Sequence, residues 1–323
     1  PILKRFNEVV REIVDNMYRY YHIEVQYKDR ADLHRKIRNM FPSYNVKVLY
    51  KGFYQWLGRP ELLKLKKGSV YEWSDVFPLL YLKMKLEGMN ANYRVKHLVI
   101  DEMQDYSAVQ YQVLRQLYPC KKTILGDINQ SVNPFSSSNM ETITSVFPDA
   151  VAISMLKSYR STFEITEFTK KVSDKAQVVP LERHGEKPAV VACPSEEAEI
   201  SRIAEEIARF EKGQYNSLGV ICKTQDQAAA MHASLRKQFP VKLVNKSTSS
   251  FNGGILVITA HLAKGLEFDQ VLVPHCTEKN YRTEPDRQML YVACTRAMHL
   301  LTLTHVGKPS PFVYSDDTDL GLG

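Results

Sequence analysis

The densest chemistry in this sequence lies in seven consecutive residues, Val99-Ile100-Asp101-Glu102-Met103-Gln104-Asp105. An apolar run from His97 to Ile100 ends in two adjacent carboxylates, followed at once by a Gln and a third acid. A buried strand that ends this way delivers acids to its C-terminal edge, where open α/β sheets bind their ligands. One acid there could hold Mg²⁺, and its neighbour could orient or deprotonate a water attacking a phosphate. A lone Asp-Glu pair is more often an ordinary solvated strand end. The rest of the chain has to decide.

The elements that must position these acids change character along the chain. Residues 2–21 predict an amphipathic helix, with Leu3, Phe6, Val10, Ile13, Val14, Met17 and Tyr21 at helical spacing. A second helix is expected over 31–40, ended by Pro42, and a short strand over 45–50, where apolar and polar residues alternate. Phe53, Tyr54 and Trp56 then fall among basic residues; they could stack bases, but packing a small core is the stronger reading. Ser74 or Asp75 could cap a helix ending at Glu87, before Gly88. From Lys96 onward strands are expected at 96–100, 121–125, 150–155, 188–193, 218–222, 255–259, 270–274 and 299–304. The main helices between them are expected at 106–117, 161–172, 195–211, 226–238 and 285–297. That alternation predicts parallel sheets with crossover helices, an α/β class.

Composition sets the bounds. A chain of 323 residues, 44% hydrophobic and 24% charged, is long enough for two domains with real cores. No apolar run approaches the roughly 18 residues of a membrane span, and no signal peptide opens the sequence. Five scattered cysteines without Cys-x-x-Cys spacing point to a reducing cytoplasm and away from zinc or disulfides. The net charge of +7 is uneven: residues 1–95 hold 18 Lys and Arg against 10 Asp and Glu, a net of +8. This basic excess could face a polyanion, although a solvated Lys-rich surface explains it equally well.

Four more stretches follow the acidic one in order. They are Leu125-Gly126-Asp127-Ile128-Asn129-Gln130-Ser131, Ser158-Tyr159-Arg160-Ser161-Thr162, Thr259-Ala260-His261-Leu262-Ala263-Lys264-Gly265-Leu266-Glu267-Phe268, and Arg287 to Ala297. In order and sense the five resemble motifs II to VI of superfamily 1 helicases of the UvrD/Rep branch. Within that branch the chain is similar to the HelD group, helicase-IV-like proteins that bind RNA polymerase. Asp105-Tyr106-Ser107, Lys157-Ser158-Tyr159-Arg160-Ser161-Thr162, Gly185-Glu186-Lys187-Pro188, Val220-Ile221-Cys222-Lys223-Thr224 and Gly307-Lys308-Pro309-Ser310-Pro311-Phe312 carry that finer likeness.

The resemblance implies RecA-like P-loop NTPase domains and a residue-by-residue set of roles. Asp101 would hold Mg²⁺ and Glu102 would orient or deprotonate the water. Gln104 and Gln130, as uncharged amides, would sense the γ-phosphate of ATP. Arg160 and Arg296 would offer permanently charged planar forks to that phosphate and its transition state. Tyr159 would stack on adenine, Gly265 would allow close backbone approach, and Glu267 would accept from a ribose hydroxyl or couple to Arg296. Thr259, His261 and Lys264 would join the nucleotide site to a nucleic-acid groove. Phe135 stands where the family often places a base-stacking aromatic, though Asn133-Pro134-Phe135-Ser136 departs from the usual pattern.

Three segments are expected: a mainly helical basic segment at 1–95, leading into motif II; the C-terminal portion of a first RecA-like domain at 96–170; and a second RecA-like domain at 171–323. The boundary between the two α/β domains is expected within 160–180. These residues contain no Gly-x-x-x-x-Gly-Lys-Ser/Thr, the phosphate-cradling loop such chemistry needs. The chain therefore reads as the C-terminal part of a larger cytoplasmic enzyme, inactive alone, with ATP and Mg²⁺ as cofactors. Its expected partners are DNA, single-stranded or in transcription complexes, and RNA polymerase, with no membrane. A UvrD/Rep-type repair helicase and a catalytically inactive binding module are the alternatives.

Overall fold

The computed structural model describes residues 2–41, 43–68, 70–127, 140–173, 178–245 and 253–313. The chain forms two compact units: one of the described residues up to Gly126 and from Met140 to Ala150, the other beginning again at Val151.

The first unit starts with four helices, α1 (Ile2–Tyr21), α2 (Tyr27–Asn39), α3 (Val46–Trp56) and α4 (Trp73–Glu87). Helix α1 packs on α2 and α4, and α3 packs on α4. Residues 45–50, expected as a strand, instead open α3. The Asn45 side chain accepts from the backbone N–H of Lys47 (2.9 Å) and Val48 (3.3 Å), capping the helix. The short alternation was therefore a fragment of helical spacing that continues through Tyr50 and Tyr54. Tyr50 is buried, and its hydroxyl donates to Asp75 at 2.8 Å. Asp75 is the inner half of a capping box whose outer half is Glu72, so α4 starts at a different cap from the expected Ser74 or Asp75; Gly88 (φ 82°) ends it as expected. The aromatics after Tyr50 divide: Tyr54 is half-buried, whereas Phe53 and Trp56 are exposed.

The first unit continues with β1 (His97–Ile100), α5 (Ala108–Leu117), β2 (Lys121–Ile124) and α6 (Met140–Val146). Strands β1 and β2 pair in parallel, with Ile100 opposite Ile124. Ile100, Met103, Tyr111, Ile143 and Val146 form the core beneath them.

The second unit carries β3 (Lys157–Ser158), α7 (Phe163–Val172), β4 (Val179–Pro180), β5 (Ala189–Cys193), α8 (Glu196–Glu211), β6 (Ser217–Cys222), α9 (Gln225–Leu235), β7 (Lys242–Leu243), β8 (Gly254–Thr259), α10 (Ala260–Ala263), β9 (Phe268–Val273), α11 (Glu284–Cys294) and β10 (Ala297–Val306). Its main sheet has the order β5-β10-β9-β6-β8-β7, and every ladder among the described residues is parallel. Strand β6 reads Leu218, Val220, Ile221 and Cys222 at zero exposure, the unbroken apolar run of a strand covered on both faces. Helices α8 and α9 bury Ile203, Ile207, Met231 and Leu235 in one core cluster of this unit; α7 and α11 bury Ile165, Leu290 and Tyr291 in another.

Two further features depart from the expected elements. Residues 150–155, expected as a strand, form no ladder among the described residues, and Val151, Ile153 and Met155 are more than 80% exposed. Alternation specifies a strand only where another edge meets it, and here pairing starts at Lys157 with Val179. Helix α7 packs against α11 and β10. Its apolar face of Ile165 and Val172 thus belongs to the second unit, and the division at residue 150 precedes the expected window of 160–180.

Candidate functional site

In the first unit the acids occupy a tightly held turn after β1. The parallel pairing continues past the strands: Leu125 N–H donates to the Ile100 carbonyl (2.8 Å), and Met103 N–H donates to the Leu125 carbonyl (2.8 Å). Between those anchors Asp101 is exposed, and its Oδ1 accepts from Glu102 N–H at 2.8 Å. Glu102 adopts φ 53°, ψ 48°, the left-handed region. A non-glycine residue pays about 1–2 kcal/mol for that conformation, so the surroundings must impose it. Gln104 does so from below. It is fully buried, and its Nε2 donates to Glu102 Oε2 at 2.6 Å. Tyr111, from α5, donates its hydroxyl to the Met103 carbonyl at 2.8 Å and fixes the turn from the other side. The residue read from sequence as a phosphate sensor thus sits under the acidic turn and orients its second carboxylate.

Gly126 closes this arrangement. A Cβ there would meet the Met103 backbone nitrogen and Met103 Cγ at 2.6 Å, with Gln104 Oε1 nearer still. Backbone cannot step aside as a flexible side chain does. Gly126→Ala is expected to lower stability by about 1–3 kcal/mol, typical of overpacking, and to displace Gln104 from Glu102. Chemical denaturation measures the first effect, and a structure of the variant the second; an unchanged unfolding midpoint would show that the turn has room.

In the second unit the fork residues come together. Arg160 pairs with Glu267, Nη2 to Oε1 at 2.6 Å, both side chains 42% exposed. Next to it Ser161 donates its hydroxyl to the Ala297 carbonyl at 2.6 Å, tying the segment after β3 to the start of β10. Arg296 is 1% exposed. Its Nε donates to the Val292 carbonyl (3.1 Å), Nη1 to the Leu266 carbonyl (3.3 Å) and Nη2 to Thr295 Oγ1 (3.1 Å). Its own carbonyl accepts from Phe268 N–H at 2.9 Å. Residues 265–268 therefore lie between the two arginines, with Gly265 at φ 81° supplying the turn. Tyr159 projects beside them, 67% exposed.

Thr259 ends β8 and caps α10, accepting from Leu262 N–H at 3.4 Å. His261, within this helix, is exposed, and Lys264, its C-cap, is half-buried, so the three span the short segment that leads into Gly265. Gln130 and Phe135 lie outside the described residues.

The sequence reading missed a charged pair, Lys223 and Asp286, whose Nζ and Oδ1 are 2.5 Å apart. Burial pushes the Asp286 carboxyl up, but Lys223 and the N–H groups of Thr283 and Arg282 outweigh it and hold it at about 2. The partners are far apart in sequence, which hides the pairing. Thr283-Glu284-Pro285-Asp286, a capping box, was the one local signal.

Comparison with known proteins gives two family matches. Residues 5–150 match the UvrD/REP helicase N-terminal domain, and residues 242–308 match the UvrD-like helicase C-terminal domain. A protein of Acanthamoeba polyphaga mimivirus named as an ATP-dependent DNA helicase is 26% identical over 308 residues, covering 83% of this chain and 44% of the relative. ATP-dependent DNA helicase UvrD1 of Mycobacterium bovis is 27% identical over 173 residues, covering 47% of this chain and 22% of its own. The solved C-terminal domain of a possible DNA helicase from Lactobacillus plantarum is 36% identical, with a TM-score of 0.42, over 48% of this chain and 92% of that one. The chain thus spans less than half the length of these two helicase relatives.

Proposed function

We propose, from the premise that this chain carries UvrD/Rep-type superfamily 1 helicase domains, that the natural protein is an ATP-dependent DNA helicase or translocase of that type. The observation that carries the reading is the strained turn after β1, where Glu102 is held left-handed and its carboxylate is oriented by a buried amide. Strain of this kind persists where function requires a fixed geometry.

In this reading Glu102 orients the attacking water and receives its proton. Arg160 and Arg296 present positive charge to the γ-phosphate as negative charge develops there. Thr259, His261 and Lys264 lie on the same loop system as the Leu266 carbonyl that holds Arg296, a short path from nucleic-acid contact to nucleotide chemistry. In the same reading Tyr159, which is exposed, stacks on adenine, and Glu267 leaves its pair with Arg160 to accept from the ribose.

The donor set suits Mg²⁺, which takes one or two carboxylates and keeps substrate oxygens and water for the rest. Asp101 offers an exposed carboxylate with one oxygen engaged by the neighbouring N–H. When bound, the ion would neutralise charge on the β- and γ-phosphates.

The finer reading is HelD-like: a factor that remodels or recycles RNA polymerase–nucleic acid complexes. It rests on the sequence stretches at 105–107, 157–162, 185–188, 220–224 and 307–312 and on the basic excess before residue 96. A DNA-repair helicase fits the domain matches equally well.

The test is steady-state ATP hydrolysis by the natural full-length protein with and without single-stranded DNA, alongside RNA polymerase pull-down at low and moderate salt. Hydrolysis stimulated by DNA is the expected result, and its absence would overturn the reading. Retention of polymerase would favour the HelD-like form; tight DNA binding without retention would favour the repair helicase.

A further inference from the structure

Lys223 lies in the Val220–Thr224 stretch and Asp286 directly before the Arg287–Ala297 stretch, but neither has a role assigned above, and they join several elements of the second unit. Lys223 directly follows β6, and Asp286 is the third residue of α11. The side chains are only 20% and 16% exposed. The Lys223 ammonium also donates to the Asn280 carbonyl and lies 5.5 Å from the centre of the Tyr281 ring. Asn280 in turn accepts from Gln227 Nε2 of α9 (3.1 Å) and donates Nδ2 to the His275 carbonyl (3.0 Å). One cation thereby gathers the end of β6, the start of α9, the loop before α11 and the first turn of α11.

Capping does not explain the lysine. Asp286 accepts from the N–H groups of Thr283 (2.9 Å) and Arg282 (3.1 Å), and Thr283 returns the capping-box bond to Asp286 N–H at 3.4 Å. That cap is complete without Lys223. Nor is the pair a strong source of stability, since covered ion pairs pay for desolvation and act mainly by fixing geometry. What the lysine adds is a tether between the helix start and the sheet edge. Helix α11 then runs as a rigid rod of 11 residues with Leu290 to Cys294 buried, and Arg296 follows two residues after its end. At 1.5 Å per residue the rod is about 16 Å long, so its starting point sets where its end lies.

We propose that the Lys223–Asp286 pair is a positioning device for Arg296: by fixing the start of α11 against the end of β6, it sets where the arginine is presented. The inference rests on the ATP-hydrolysis reading for the role of Arg296, and on the geometry alone for the tether.

The test uses the natural full-length protein with Lys223→Met, which leaves the capping box intact, Lys223→Gln as a second tether-less variant should the first misfold, and Lys223→Arg, which keeps charge and reach. Kinetics and amide hydrogen exchange over residues 291–296 are both read. Lys223→Met is expected to lower kcat about 10- to 100-fold, the effect of a misplacement near 1 Å, with KM for ATP nearly unchanged. Exchange at 291–296 should quicken, and Lys223→Arg should restore both. In an Arg296→Ala background Lys223→Met should cost nothing further, because the tether acts through that arginine. Unchanged exchange and kcat, or an equal additional loss without Arg296, would overturn the proposal. Absence of ATP turnover in the parent protein would instead sink the functional reading, and exchange at 291–296 would then decide the tether alone.

Discussion

Glu102→Gln is expected to stop ATP hydrolysis in the natural full-length protein while nucleotide binding persists. The substitution keeps the volume, and its amide oxygen can still accept from Gln104 Nε2, now 2.6 Å from Oε2. What it loses is the ability to take a proton. General-base catalysis contributes about 10²- to 10⁴-fold, so kcat should fall by at least roughly 10²-fold. The stability of the turn should change little, because its anchors are the Leu125 carbonyl and the Tyr111 hydroxyl rather than the charge. Steady-state turnover and equilibrium binding of a fluorescent ATP analogue separate the two effects. A variant that keeps near-parental turnover would remove Glu102 from the chemistry.

Arg296→Ala should show a double loss. As an arginine finger its removal costs turnover on the order of 10³-fold or more. As a buried cation it also satisfies the carbonyls of Val292 and Leu266. Stranding such groups costs about 1–3 kcal/mol, so the melting temperature should fall as well. Arg296→Lys divides the two contributions: it keeps the charge but has no planar fork, so it cannot serve both carbonyls and Thr295 in the same geometry. Turnover near the parent level in Arg296→Ala, with or without a lowered Tm, would leave the residue a purely structural arginine.

The α/β class was legible because the second unit writes it plainly. Strands such as β6 and β8 are unbroken apolar runs, and Ser195, Thr224 and Thr283 each accept a bond from the helix they precede. Local signals failed where a distant partner decides the outcome. Residues 45–50 carry a strand-like alternation, but the cap at Asn45 and the burial of Tyr50 against Asp75 select a helix. Residues 150–155 carry the same pattern and form no ladder among the described residues. The order of the acidic, arginine and Gly265-containing stretches was visible in the chain. Their geometry was not: the pairing of Arg160 with Glu267, the bond from Arg296 to the Leu266 carbonyl and the burial of Gln104 all depend on contacts across tens of residues. The pairing of Lys223 with Asp286 escaped for the same reason: the Val220–Thr224 stretch stands out in the sequence, but nothing local to it names a partner 63 residues away.

The left-handed backbone at residue 102 also bears on how this protein can be evolved or engineered. Glycine adopts φ 53° without the clash that a Cβ brings, so Glu102→Gly would relax the turn while discarding the acid. That relief is offset, because the same substitution removes the carboxylate that accepts from the buried Gln104 amide, and stranding such a donor costs about 1–3 kcal/mol. Stabilising changes elsewhere, on the exposed faces of α1 to α4 for instance, would add tolerance for strain at this one position. In this turn one carboxylate both strains the backbone and satisfies the buried amide, so a change at residue 102 trades one cost for another.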